Sequence, residues 1–146
     1  MSLCVVLAYL LIGSSDLKIQ NYDYDVTIYR DNWGVPHIYG KKDTDTAFGL
    51  AYAHSEDDFE TLQDVLLALR GKLASVKGRE SAPVDYLVGM LRVWETVDKR
   101  YDSDLSEEVK NLCAAYADGV NLYMEKHPHE IVGDLYPVTG LSLIHI

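Results

Sequence analysis

The chain has 146 residues, of which 48% are hydrophobic, and carries a formal net charge of -10 with a pI near 4.7. That length and apolar content allow one domain with a core of its own. The acidic balance, without any cluster of Lys and Arg, excludes nucleic acid as a partner, because phosphate recognition depends on grouped basic side chains.

Leu3 to Ile12 form an apolar run of ten bounded by Gly13, Ser14 and Ser15. The run is too short to span a bilayer. It fits the hydrophobic part of a secretory leader, expected over residues 1–15 with cleavage after Ser15, which places the mature chain in the periplasm or outside the cell with no membrane attachment. Met1 and Ser2 supply no positive charge ahead of the run, so either the true start lies upstream or the leader is atypical, and a buried strand is the competing reading. Cys4 falls in this run; with Cys113 it makes too few cysteines for a disulfide framework.

From Tyr24 to Arg30 the residues alternate as a strand does, with Val26 and Ile28 on one face. Asp31, Asn32, Trp33 and Gly34 carry turn chemistry. Val35 to Tyr39 then run extended until Gly40, which completes a β-hairpin with Pro36 at an edge or strand start. Asp43, Thr44 and Asp45 are placed to start a helix in which Ala47, Gly49, Ala51 and Ala53 permit close packing. Ser55, followed by Asp58, reads as a second helix start ahead of the stripe Phe59, Leu62, Leu66, Leu69 and Leu73. Gly71 marks a bend or an end.

Lys77 and Gly78 form a loop. Beyond Pro83, the spacing of Leu87, Met90, Leu91 and Trp94 predicts a third helix. The fourth begins at Ser106 with Glu107 and Glu108 in its first turn. Its stripe of Val109, Leu112, Cys113, Tyr116, Val120 and Tyr123 recurs at helical spacing up to Pro128. The fold class is therefore α+β, mostly helical with an N-terminal β-hairpin.

His54, Glu56, Asp57, Asp58 and Glu60 are the group with the right chemistry for a metal or for proton transfer. They coincide with a helix start, however, where acidic side chains gain from the macrodipole, and the sequence favours a solvated or capping face. His127 and His129 flank Pro128 with no carboxylate or Cys pattern around them and read as surface. Cys113 lies on an apolar stripe and reads as a small buried hydrophobe rather than a nucleophile. His37, polar within a strand, reads as structural. There is no phosphate loop, nucleophile elbow or zinc motif. No catalytic, cofactor-binding or metal-binding residue is assigned to the chain.

Four stretches in order carry a resemblance. Tyr29-Arg30-Asp31-Asn32-Trp33-Gly34-Val35-Pro36-His37-Ile38-Tyr39 resembles the opening hairpin of penicillin acylases and acyl-homoserine-lactone acylases, with its Arg-Asp-x-x-Gly-x-Pro-His-Ile run. Phe48 to Asp58 is similar to the family's next helix and turn. Arg70-Gly71-Lys72-Leu73-Ala74 with Gly78 resembles its Arg-Gly stretch, and Tyr116-Ala117-Asp118-Gly119-Val120-Asn121 its Tyr-Ala-x-Gly-x-Asn helix. Together they span residues 24–140.

The resemblance implies an exported precursor with the αββα fold of an N-terminal-nucleophile hydrolase, of which residues 16–140 form the front of the α-chain. It also implies cleavage into α and β chains, and hydrolysis of an N-acylated small molecule through an acyl-enzyme on the N-terminal Ser of the β-chain. No residue here matches that Ser; serines 55, 75, 81, 103 and 106 fall at caps or loops. The partner is then the β-chain of the same precursor, the fragment alone is inactive, and calcium is expected only in the parent protein.

On this reading Gly34 permits the hairpin, Gly49 and Gly119 permit close helix approach, and Asp118 and Asn121 tie their helix to neighbouring backbone. Apolar surface is left bare where the missing chain would cover it. Residues 141–146 depart from the family pattern. They are what CTG TCT CTT ATA CAC ATC encodes, which looks like the transposon end used in sequencing libraries, so this tail is expected to derive from an adaptor. The competing classes are a non-catalytic helical binding module or degenerate relative, and a helical metal-binding protein using the His54 region.

Overall fold

Strands β1 (Val26–Arg30) and β2 (Pro36–Gly40) pair antiparallel with Ile28 opposite Ile38 and Arg30 opposite Pro36. The computed structural model describes residues 22–144, so the leader expected over 1–15 and the last two residues of the expected tail lie outside it. The turn is built as its residues dictate. Asp31 Oδ1 accepts from the backbone N–H of Trp33 at 2.8 Å and of Val35 at 3.0 Å, and Gly34 takes φ +82°, which a side chain would oppose. Pro36 opens an edge strand, where its missing N–H costs no ladder bond.

The long helix α1 (Asp43–Leu69) follows, and Asp45 in its first turn accepts from the Lys42 N–H at 3.0 Å. Its backbone leaves helical geometry at Asp58 (φ -156°, ψ 64°), so the helix is kinked where the sequence predicts a second start. The capping roles differ from that expectation. Asp58 itself caps, accepting from the Thr61 N–H at 3.2 Å, whereas the Ser55 hydroxyl is fully buried and donates back to the Ala51 carbonyl at 2.8 Å. Gly71, at φ +65°, lies just past the end of α1, so Leu73 falls outside the helix.

A short helix α2 (Ala74–Lys77), a 3-10 turn (Arg79–Ser81) and α3 (Ala82–Met90) come next. Asp85 of α3 caps α2, its two carboxylate oxygens accepting from the N–H groups of Leu73 and Ala74 at 2.9 and 2.8 Å. The single helix expected through Leu87, Met90, Leu91 and Trp94 is broken: Arg92 is left-handed (φ 52°) and α4 (Val93–Asp104) starts afresh. The break turns Trp94 back onto α1, where its indole N–H donates to the Leu69 carbonyl at 2.6 Å. Val84, Tyr86, Leu87, Met90 and Leu91 stay exposed, consistent with the bare apolar surface the resemblance implies.

Helix α5 (Glu107–Lys126) starts as predicted, with Ser106 Oγ accepting from the Val109 N–H at 3.3 Å. It packs along α1 at close range. A Cβ on Gly119 would lie 2.3 Å from the Phe48 carbonyl oxygen and 2.8 Å from Ala51 Cβ, and one on Gly49 would meet Val26 and Ile38 of the hairpin at 2.5 and 2.8 Å. Both glycines are therefore contact points, α5 to α1 and α1 to the hairpin. The core between the long helices holds Leu62, Leu66, Leu67, Ala117, Val120 and Met124, and is closed by Leu135 and Val138 from the segment after α5. That segment contains a 3-10 turn (Pro128–Glu130) and ends in a helical turn, α6 (Gly140–Leu143). No helix among the described residues is long and apolar enough to cross a membrane.

Candidate functional site

Arg30, at the end of β1, joins the hairpin to the kink of α1. Its guanidinium donates to the Gly34 carbonyl at 2.8 Å, to Glu56 at 3.0 Å and to Asp57 at 2.8 Å, and reaches the Ala53 carbonyl at 3.4 Å. The planar fork of Arg suits several acceptors at once. Asp31 is held below the usual carboxylate range by the Trp33 N–H, reinforced by the Val35 N–H and by His37, whose Nε2 lies 3.3 Å from Asp31 Oδ2. The Arg-Asp-x-x-Gly-x-Pro-His run is thus a self-bracing turn with one arm onto α1.

The acidic group around His54 does not converge. Glu56 and Asp57 face Arg30, Asp58 caps, Glu60 pairs with Lys77 at 3.2 Å, and His54 Nδ1 lies 2.7 Å from the Tyr116 hydroxyl. Among the described residues no group of three His, Cys, Asp or Glu side chains is placed to hold a metal ion. His127 stacks on Tyr123 and lies 3.3 Å from Glu130, and His129 is 3.7 Å from the same carboxylate. Cys113 is partly buried, and burial pushes its thiol up, away from the reactive thiolate.

Four of the serines are taken up locally: Ser55 donates to the Ala51 carbonyl, Ser75 to the Lys72 carbonyl and Ser103 to the Arg100 carbonyl and the Asp104 carboxylate, while Ser106 caps α5. None of these bonds reaches a histidine.

Three polar clamps fix the segment that follows α5. Asn121, buried, binds Val138 with both arms of its amide, donating to the carbonyl and accepting from the N–H at 2.8 Å each. The Arg70 guanidinium donates to the carbonyls of Asp134 (3.1 Å), Leu135 (2.8 Å) and Pro137 (3.2 Å). Gln63, also buried, donates to the Glu130 carbonyl at 3.1 Å and accepts from the Val132 N–H at 2.9 Å. The sequence reading missed Gln63, a lone polar residue within an apolar stripe; that anomaly was the available signal.

Asp118 does not take backbone as expected. It accepts from the Tyr24 hydroxyl at 2.8 Å, and burial raises its carboxyl. Two turns further on, buried Glu125 accepts from the hydroxyls of Tyr22 and Tyr136 at 2.8 and 3.0 Å.

An apolar groove of about 490 Å³ opens between α1 and α5, walled by Ala47, Leu50, Val65, Leu112, Cys113 and Tyr116, with Leu143 also in its lining. Its polar lining is His54 and Tyr116, which face each other at 2.7 Å, and Thr61.

A hairpin braced to a kinked helix, packed on a second long helix, defines an α+β, mostly helical unit. Its fold is similar to that of the thermostable penicillin G acylase from Alcaligenes faecalis, with a TM-score of 0.64, 20% identity, and coverage of 83% of this chain and 69% of that one.

Residues 25–142 match the family model described as penicillin amidase, and the chain belongs to that family. It is 32% identical over 111 residues to the penicillin acylase 2 proenzyme of Pseudomonas sp. (strain SE83), covering 76% of this chain and 14% of that protein. It is 29% identical over 111 residues to the acyl-homoserine lactone acylase QuiP of Pseudomonas fluorescens Pf-5, with the same coverage, 76% and 14%. The chain thus spans about 14% of the length of these curated relatives.

Proposed function

We propose that the chain is the N-terminal part of an exported amidohydrolase precursor that cleaves the amide bond of N-acylated small molecules. Acyl-homoserine lactones, β-lactam antibiotics and acylated peptides are the candidate substrates. Family membership over residues 25–142 carries this reading, and the apolar run Leu3–Ile12 supports export. The reactive group is the N-terminal Ser of a downstream β-chain freed by processing of the precursor. Its hydroxyl adds to the amide carbonyl while its own α-amine takes the proton. Backbone and amide donors stabilise the oxyanion, the amine leaves with a proton, and water hydrolyses the ester that remains.

This chain's share of the work is structural. Arg30, Arg70 and Asn121, which lie in the motif stretches, bond to backbone, to surface carboxylates and, from Arg70, to the Ser142 hydroxyl. The isolated chain is therefore inactive. The test follows release of free amine from an N-acyl-homoserine lactone and from a β-lactam amide. The product of the complete gene is expected to release amine from at least one of them, and the 146-residue chain from neither. Hydrolysis by the chain alone, or none by the complete product on any N-acyl substrate class named, would overturn the proposal.

A further inference from the structure

The hairpin has two edges, and they are not alike. In an antiparallel ladder, pairs that exchange hydrogen bonds alternate with pairs whose backbone groups point outward. The turn sets the phase, since the Asp31 N–H donates to the Val35 carbonyl at 3.1 Å and the Gly34 N–H to the Asp31 carbonyl at 3.0 Å. Tyr29–His37 and Thr27–Tyr39 are then the bonded pairs, and Val26, Ile28 and Arg30 direct their N–H and C=O groups away from β2. Pro36, Ile38 and Gly40 point out of the opposite edge.

The β2 edge is closed to a further strand. Pro36 has no N–H to give, and Gly40 lies against the start of α1, where a Cβ would be 2.6 Å from the Thr46 nitrogen and 2.7 Å from Asp45 Cβ. The β1 edge has none of the devices that keep a strand from pairing: its sequence holds no Pro, Gly or Lys, and its register runs without a bulge. Its one charged side chain, Arg30, is drawn onto Glu56 and Asp57 of α1. Among the described residues no other strand lies beside β1, and no backbone bond from another segment reaches Val26, Ile28 or Arg30. Successive N–H and C=O groups are thus offered at strand spacing, and an extended backbone is the chemistry that satisfies them.

The outer face of the hairpin agrees with this. An antiparallel sheet with one solvated face carries polar residues there, yet the face turned away from α1 holds Tyr29 and Tyr39, 60% and 64% exposed, with Trp33 at 91% beside them on the turn. Two strands alone are also too few for a stable sheet.

We infer that the open edge of β1 is extended by a strand from the downstream part of the same precursor, bonded through the backbone groups of Val26, Ile28 and Arg30. This rests on the reading of the chain as the front of a longer polypeptide, the matched segment being 14% of the length of its relatives.

Amide hydrogen exchange, resolved to single residues by mass spectrometry, tests it in the complete gene product and in the 146-residue chain. Tyr29 and His37, bonded across the hairpin, are internal references. In the complete product Val26 and Ile28 should exchange within about tenfold of these references, and Ile38 at the opposite edge at least about a hundredfold faster. In the chain alone Val26 and Ile28 should exchange within about threefold of Ile38. Val26→Pro removes an outward donor at the first residue of the strand and breaks no bond of the hairpin ladder. In the complete product it should speed exchange at Ile28 at least about tenfold and leave Tyr29 and His37 unchanged.

Val26 and Ile28 as fast as Ile38 in the complete product, or protection of Ile28 unmoved by Val26→Pro, would overturn the inference. Protection in the chain alone that rises with its concentration would also overturn it, by assigning the edge to a second copy. The readout involves no catalysis, so a product that protects Val26 and Ile28 but hydrolyses no amide contradicts the proposed function and leaves this inference standing.

Discussion

Replacing Gly119 by alanine puts a methyl group 2.3 Å from the Phe48 carbonyl oxygen and 2.8 Å from Ala51 Cβ, inside the closest contact between α1 and α5. The obstructing atoms are backbone and a buried methyl, so no flexible side chain can yield and the helices must separate. Overpacking of this kind costs about 1–3 kcal/mol, and a backbone clash belongs at the upper end. Removing a helical glycine returns about 1 kcal/mol of propensity, leaving a net loss of roughly 2 kcal/mol.

For a domain of this size that is a fall of about 8 °C in melting temperature. Gly89, in α3 with nothing within 4 Å of its would-be Cβ, is the matched control and should gain about 0.5–1 kcal/mol on the same change. Circular dichroism at the helical minimum, read against temperature for both variants, makes the comparison. A Gly119→Ala variant as stable as its parent would refute the claim that α5 sits on α1 through this glycine.

Asn121→Ala should be among the most damaging polar substitutions, because it strands the buried N–H and carbonyl of Val138; a loss of about 2–4 kcal/mol is expected in urea titrations. A loss under about 0.5 kcal/mol would mean the clamp is not formed in solution. Burial, with the Glu130 carboxylate as acceptor, pushes the Tyr123 phenol up to about 12. Its folded value exceeds the unfolded one of about 10, so its contribution is complete below the unfolded value and is lost as pH rises towards about 12. Tyr123→Phe should flatten the alkaline fall in stability over that interval, and an unchanged slope would contradict the assignment.

The hairpin was legible because each of its signals is local: Asp31 and Gly34 make the turn, Pro36 starts the edge strand, and Val26 and Ile28 alternate onto α1. The kink was legible in position but not in chemistry. Ser55 and Asp58 both look like caps, and only burial under the neighbouring elements decides that Ser55 bonds backwards. The break at Arg92 carries no glycine or proline to announce it; it exists because Trp94 finds a better place at the end of α1, a contact made 25 residues away.

The clamps by Gln63, Arg70 and Asn121 on the segment after α5 are equally long-range. Of these, sequence indicated only the tie made by Asn121. The reactive centre was not legible for a simpler physical reason. Among the described residues His54 is turned to the Tyr116 hydroxyl, Asp58 to a cap, Glu56 to an ion pair and Ser75 to a carbonyl, and none of these four meets another of them.

The location of the nucleophile tests the account most directly. The complete gene product is treated with a serine-reactive sulfonyl fluoride, and the adduct is placed by peptide mass mapping. The account predicts one modified serine at the start of a downstream chain and no adduct within residues 22–144. Modification of Ser55, Ser75, Ser81, Ser103 or Ser106, with matching loss of amide hydrolysis, would contradict it.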